Sequence, residues 1–411
     1  PVCVPVRASL RPCRAKRQYG AQRCRQGRSG HASGLERRAH LVPRPLLLRS
    51  AEVGREAWRS PTKFVYMSPS TTTPLVGAGE YYSEYYGHNP NYLRRVHASL
   101  RGGRGGSRRS CIFLAGDSSL DNKFWFDSWA AATNGYEAVL APGRMKTDVC
   151  YWLNDELVRR GHGGRLFCLN TAVEATSLNT RACGRLTPQD RLIASAIGPD
   201  DVLVVSVGGN DIALEPLLFT ALNLSLVACC TPQVCIEQCA CACPPNLRVD
   251  PGCACCGLPG CLVSPCGCPP GLGYLVDLFG NRVQNYIERL LAGRRPARVV
   301  VCMIYFLDVH GRGSWADCFL KMVCYDSSPA RLQAAIRALF SLATRRVAIP
   351  GVEVVPFPLF EALDGSDPRD YVQRVEPSPE GGRKMAAALL DAILDEGGGG
   401  CYRRTPAEMQ R

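Results

Sequence analysis

Ile112-Phe113-Leu114-Ala115-Gly116-Asp117-Ser118-Ser119 is an apolar run that stops at a tight polar turn. Val204-Val205-Ser206-Val207-Gly208-Gly209-Asn210-Asp211 repeats the pattern further along. Unbroken Val/Ile/Leu runs are the mark of strands buried on both faces. Expected strands are Cys111–Ala115, Leu166–Leu169, Val202–Val207, Val299–Ile304 and Val352–Val355. Helical patterns alternate with them, over Met145–Arg160, Pro188–Ile197 and Arg331–Arg345. Leu275, Phe279, Val283, Tyr286, Ile287 and Leu290 fall on one face at spacings of three and four. A last helix opens at Ser378-Pro379-Glu380, a serine cap with proline in the first turn, and stops at Gly397–Gly400. This alternation predicts an α/β fold of three layers, a doubly wound parallel sheet of five strands with helices on both faces. Ligands of such sheets bind beyond the carboxyl ends of the strands. Both polar turns sit there, so Ser118 and Asn210 are expected to converge on one cleft.

The rest of the chain is organised around that domain. At 411 residues it can bury a large core, and 46% hydrophobic with 21% charged residues is ordinary for a globular protein. The net charge of +13 is local. Residues 1–110 hold 21 Lys/Arg against 5 Asp/Glu, and the remainder 28 against 31. Residues 1–66, before the first methionine at Met67, are Arg-rich and aperiodic. They read as disordered, or as sequence foreign to the native protein. Arginines interleaved with aromatics, the signature of a nucleic-acid arm, are missing, so no nucleic-acid partner is expected. Residues 67–109 read as an extension and linker, 110–396 as the main domain, and 397–411 as a tail. Ile212 to Ala228 is apolar but interrupted by Glu215, Pro216 and Asn223, which predicts a buried helix rather than a membrane span. No secretory signal is visible, which slightly favours an intracellular setting. The oligomeric state is not readable.

Ester hydrolysis requires a nucleophile, a group to take its proton, and donors aimed at the developing oxyanion. Ser118 offers the first, in a turn where Gly116 permits tight backbone geometry. Asn210 offers a side-chain amide for the oxyanion, and backbone N–H groups could complete the hole. Asp117 and Asp211 read as braces of their turns.

On these residues the chain resembles the SGNH hydrolases, the GDSL family of esterases and lipases. Gly116-Asp117-Ser118-Ser119 matches the family's first block, with Ser119 where leucine is usual. Asn170-Thr171-Ala172-Val173-Glu174-Ala175-Thr176 is similar to the second, with Ala175 in place of a glycine whose N–H enters the oxyanion hole. Gly208-Gly209-Asn210-Asp211 matches the third. The resemblance spans about Ser110 to Leu394 and implies a flavodoxin-like sheet. It also implies hydrolysis of a carboxylic ester through Ser118, with Asn210 and the Ala175 amide at the oxyanion, and no organic cofactor. The expected partner is a small-molecule, lipid or carbohydrate ester.

The last block departs from the pattern. Where the family has aspartate, two residues, histidine and proline, this chain reads Gln373-Arg374-Val375-Glu376-Pro377. Glu376 takes the histidine's place and Gln373 the aspartate's. No histidine follows His310. Three readings stay open. Glu376 acts as base with its pKa raised by burial, His310 reaches in from the loop after the fourth strand, or the cleft binds a ligand without hydrolysing it.

Of 23 cysteines, 12 lie between Cys229 and Cys268. Residues 229–271, rich in Cys, Pro and Gly and without helical or strand period, read as an insertion. It sits on the far face if Ile212–Ala228 is one helix, and forms a lid if that stretch is irregular. Its cysteines read as disulfide staples in an oxidising compartment, or as reduced thiols or zinc ligands elsewhere, with spacings that fit no zinc-finger type.

Overall fold

The apolar runs form strands because hydrogen-bonded neighbours and helices together remove both of their faces from water. The computed structural model describes residues 75–102, 108–214, 218–246 and 263–395. Its central sheet contains β1 (Ser110–Gly116), β2 (Leu166–Asn170), β3 (Val202–Ser206), β4 (Arg298–Met303) and β5 (Glu353–Pro358). All four neighbouring pairs are parallel, in the order β5-β4-β3-β1-β2. The chain runs outward from β1 to β2, then crosses back to β3. The crevice of such a sheet lies where this reversal occurs, between β1 and β3.

The helices packed around the sheet are α1 (Pro90–Arg101), α2 (Val149–Arg159), α3 (Pro188–Ala196), α4 (Leu218–Ala228), α5 (Val283–Leu291), α6 (Pro329–Leu342) and α7 (Pro379–Leu394). Alternation along each strand sorts the core into two layers. Ile112, Leu114, Val204, Val300 and Phe357 pack with α2 and α7. Cys111, Phe113, Leu203, Val205 and Val301 share the opposite core with α1, α3, α5 and α6. Each fully buried Leu or Val contributes about 1.5–3 kcal/mol. Polar residues fix the helix starts. Asp148 accepts from Tyr151 N at α2, Thr187 and Asp190 form a capping box at α3, and Ser378 accepts from Gly381 N at α7.

Several elements differ from the sequence reading. The helix expected from Met145 starts at Val149, because Asp148 caps it there. Arg144–Lys146 instead pairs antiparallel with Trp129–Ala131. Ile212–Ala228 is not one helix: a short helix, Gly209–Ala213, precedes α4. Residues 229–271 are not wholly irregular. Gln233–Cys239 is helical, with Ile236 buried, and Cys241–Ala242 pairs antiparallel with Gly267–Cys268. Before α5, the helix of Leu272–Asp277 widens into a π turn over Leu278–Arg282. Within residues 75–102, Val76, Tyr81, Leu93, Val96 and Leu100 belong to the same core as β1 and β3. No single helix among the described residues is long and apolar enough to cross a membrane. Residues 1–66, 247–262 and 397–411 lie outside the described residues.

Candidate functional site

Gly116 closes β1 at φ +134, and a Cβ there would stand 1.7 Å from the Ser206 carbonyl oxygen. Only glycine allows the ends of β1 and β3 to meet this closely. The Gly116 carbonyl accepts from Val173 N at 3.0 Å and from Arg181 Nη2 at 2.9 Å, which draws the loop after β2 against the turn. Asp117 braces the turn by accepting from Ser119 N at 3.1 Å, with the Ser119 hydroxyl at 2.8 Å. Burial pushes the Asp117 carboxyl up to about 6, against the pull of its bonds to Ser119. Ser118, between them, is left facing the crevice.

The end of β3 is shaped the same way. Gly208, at φ +112, lies against the ring of Phe279, which would be 2.8 Å from a Cβ. Asn210 follows on the first turn of Gly209–Ala213. Its Nδ2 donates to Thr176 O at 2.8 Å, leaving its second amide proton for another acceptor. Asp211 braces this turn by accepting from Leu178 N at 2.7 Å and Asn179 N at 3.1 Å.

Glu376 arrives from the far end of the sequence. Tyr371–Val372 and Glu376–Pro377 form a small antiparallel ribbon joined through Gln373 and Arg374, both left-handed at φ 54 and 66. Asn122 Nδ2 donates to Pro377 O at 3.0 Å, and the Tyr305 hydroxyl donates to Val375 O at 2.6 Å. These bonds tie the ribbon to the segments that follow β1 and β4. Glu376 is buried, and burial pushes its carboxyl up to about 8, assisted by the charges of Asp117 and Asp121 and opposed by a hydrogen bond with Ser118. Its Oε2 has no hydrogen-bond partner.

Ser118, Asn210 and Glu376 therefore line one cleft, of about 70 Å³. Ile304, Leu307, Trp315, Phe319, Leu332 and Ile336 supply its apolar wall. Ala175 is not among the lining residues, but it precedes Thr176, whose carbonyl holds Asn210. Ala175 has φ 55, the left-handed conformation that glycine tolerates best, so alanine here keeps a glycine's backbone shape. Among the described residues, neither the Ser118 N–H nor the Ala175 N–H meets an acceptor.

Two residues of the sequence reading lie elsewhere. His310 is exposed, with its N–H bonded to Asp308 Oδ1 at 2.8 Å, and it does not line the cleft. The glycine-flanked loop after β4 turns it to solvent. Gln373 faces the cleft wall rather than Glu376: its carbonyl accepts from Ser314 Oγ at 2.5 Å and its Oε1 from Trp315 N at 3.3 Å. None of the described residues of the insertion lines the cleft, so they form no lid over it.

Glu174 is a neighbour the sequence did not single out. It is buried, its Oε1 accepts from Trp125 Nε1 at 3.2 Å, and its Oε2 has no partner. Burial, then the nearby Glu376 and Asp121, push its carboxyl well above the usual range. Residues so far apart in sequence gave no signal of this pairing. Among the described residues, the one group of ligand-type side chains with atoms close enough to share a metal is Asp367, Asp370 and Glu380, away from this cleft and from the cysteines.

No family model matches the chain, and no curated protein matches it. Solved structures similar to it include an acetyl xylan esterase from Geobacillus stearothermophilus, at 12% identity and TM-score 0.35, covering 74% of this chain and 98% of that one. An extracellular lipase from Streptomyces rimosus has 12% identity and TM-score 0.35, with coverages of 70% and 99%. A carbohydrate acetylesterase from Sinorhizobium meliloti has 12% identity and TM-score 0.34, with coverages of 70% and 100%. At such distances their substrates are properties of those proteins alone.

Proposed function

We propose that this protein hydrolyses carboxylic esters by acyl transfer through Ser118. The observation that carries the reading is the meeting of Ser118, Asn210 and a buried Glu376 carboxyl in one cleft. Ionised Glu376 takes the hydroxyl proton as Ser118 Oγ attacks the ester carbonyl. The N–H groups of Ser118 and Ala175, with Asn210 Nδ2, hold the oxyanion. Protonated Glu376 then gives the proton to the departing alkoxide, and water repeats the cycle on the acyl-enzyme. An ordinary exposed glutamate, near pKa 4.3, is too weak for this task. A carboxyl raised to about 8 is a far better proton acceptor.

The test is hydrolysis of 4-nitrophenyl acetate by the wild type, Ser118→Ala and Glu376→Gln. Ser118→Ala is expected to lower kcat/KM by roughly a thousandfold or more. Equal rates for wild type and Ser118→Ala would overturn the serine mechanism. A second reading, a silent ligand-binding protein, is favoured by the lack of histidine among the lining residues. It predicts no Ser118-dependent turnover at any pH.

A further inference from the structure

We propose that Cys229 and Cys324 form a disulfide that ties the end of α4 to the wall of the cleft. Their sulfurs lie 2.6 Å apart across 95 positions of sequence. Non-bonded heavy atoms settle at about 3.5–4.0 Å for carbon, and sulfur is larger. The surroundings hold the pair together independently of any S–S bond. The Cys229 sulfur lies 3.2 Å from Met322 O, and Arg331 Nη1 donates to Cys229 O at 3.1 Å. Cys324 follows the helix Asp317–Met322, in the left-handed conformation at φ 56. That helix supplies Phe319 to the cleft and begins two residues after Trp315, which also lines it, so a bond at Cys324 restrains the cleft wall. Both cysteines are partly exposed, so small reagents reach them. Elsewhere in the chain Cys183 is disulfide-bonded, so cysteines of this protein already serve as covalent links.

The oxidant is a small-molecule disulfide of the glutathione class. Burial, then the hydrogen bond with Cys324, pushes the Cys229 thiol up to about 12, and a thiol attacks only as its thiolate. The thiolate of one cysteine displaces one thiolate from the reagent and forms a mixed disulfide. The other cysteine then loses its proton, attacks the sulfur of the first and expels the second thiolate. Two protein thiols are oxidised, one reagent disulfide is reduced to two thiols, and the protons go to the released thiolates.

The test is peptide mapping of the full chain, equilibrated with oxidised glutathione and alkylated with iodoacetamide before digestion without reductant. The expected product joins the peptides of Cys229 and Cys324, with less than a tenth of either thiol alkylated. Prior reduction makes both labelled, and in Cys324→Ser the Cys229 peptide carries either the alkyl group or a glutathione and no cross-link. Complete alkylation of both in the oxidised wild type would overturn the proposal, as would a link from Cys324 to Cys230 or any other cysteine. If Cys324→Ser does not fold, the wild-type map alone decides. Hydrogen exchange should slow at least threefold over residues 314–323 in the linked form, and unchanged exchange would remove the restraint on the cleft wall. These readouts are masses, so they stand or fall apart from the esterase assay.

Discussion

Glu376 occupies a position where charge is costly, and its neighbours decide how that cost is used. As its carboxyl ionises only near pH 8, ester hydrolysis should rise steeply from pH 6 to 8 and level off above. A pH profile of kcat/KM measures this, and a plateau already reached at pH 6 would show that another group accepts the proton. Ala175 provides a second, independent test. Its left-handed backbone costs an L-residue roughly 1–2 kcal/mol, so Ala175→Gly should raise stability by about 1 kcal/mol, less the entropy glycine loses on folding. The substitution keeps the N–H, so turnover should change less than threefold, as chemical denaturation and the nitrophenyl assay would report. Ser118 and Asn210 were readable because each follows a strand whose apolar pattern announces it, and Glu376 because it stands just ahead of the cap of α7. Glu174 was not, because its burial depends on Trp125 and Glu376, contacts that no local pattern encodes.

Strands and helices were legible wherever period and cap agreed. All five strands of the sheet appear within two residues of their expected limits at the amino-terminal side, because unbroken Val/Ile/Leu runs have one good environment. The start of α7 was equally plain, since Ser378 and Pro379 both specify it. Ser378→Ala removes the acceptor for Gly381 N and a donor to Arg369 O at 2.5 Å. The loss should be about 1 kcal/mol, measured by urea unfolding, and it should also loosen the ribbon that carries Glu376 two residues earlier. Where the reading failed, two signals competed. Met145 fits the periodicity of α2, yet Asp148 caps the helix after it. The run from Ile212 is mostly apolar, yet Glu215 and Pro216 fall between the two helices.

Across the molecule, buried carboxyls set the dependence of stability on pH. Asp117, Asp148 and Glu376 are pushed up to about 6, 7 and 8, each chiefly by burial. In the native state they keep protons that the unfolded chain releases near pH 4. Between those limits the native state binds more protons, so stability falls as pH rises, and the loss is complete above pH 8. The melting temperature should therefore drop from pH 5 to pH 8, and Glu376→Gln should flatten the upper part of that slope. A melting temperature that rises over this interval would contradict the burial of these groups. Asp317 and Asp364, held below the usual carboxylate range, act with opposite sign only at lower pH.

The π turn before α5 bears on how this chain tolerates a change of length. Arg282, in the turn, reaches Asn179 Oδ1 at 2.6 Å and lies 3.7 Å from Asp211, the brace beneath Asn210. Tyr286, Ile287 and Leu290, just beyond it, face the core. One extra residue in the turn lets a single helix satisfy both demands. Deleting one residue from 278–282 would rotate everything on one side by about 100° relative to the other. Either the arginine would leave the aspartate or the apolar stripe would leave the core. A one-residue gap, harmless in most surface loops, would here reach the turn that carries Asn210 through Arg282 and Asp211.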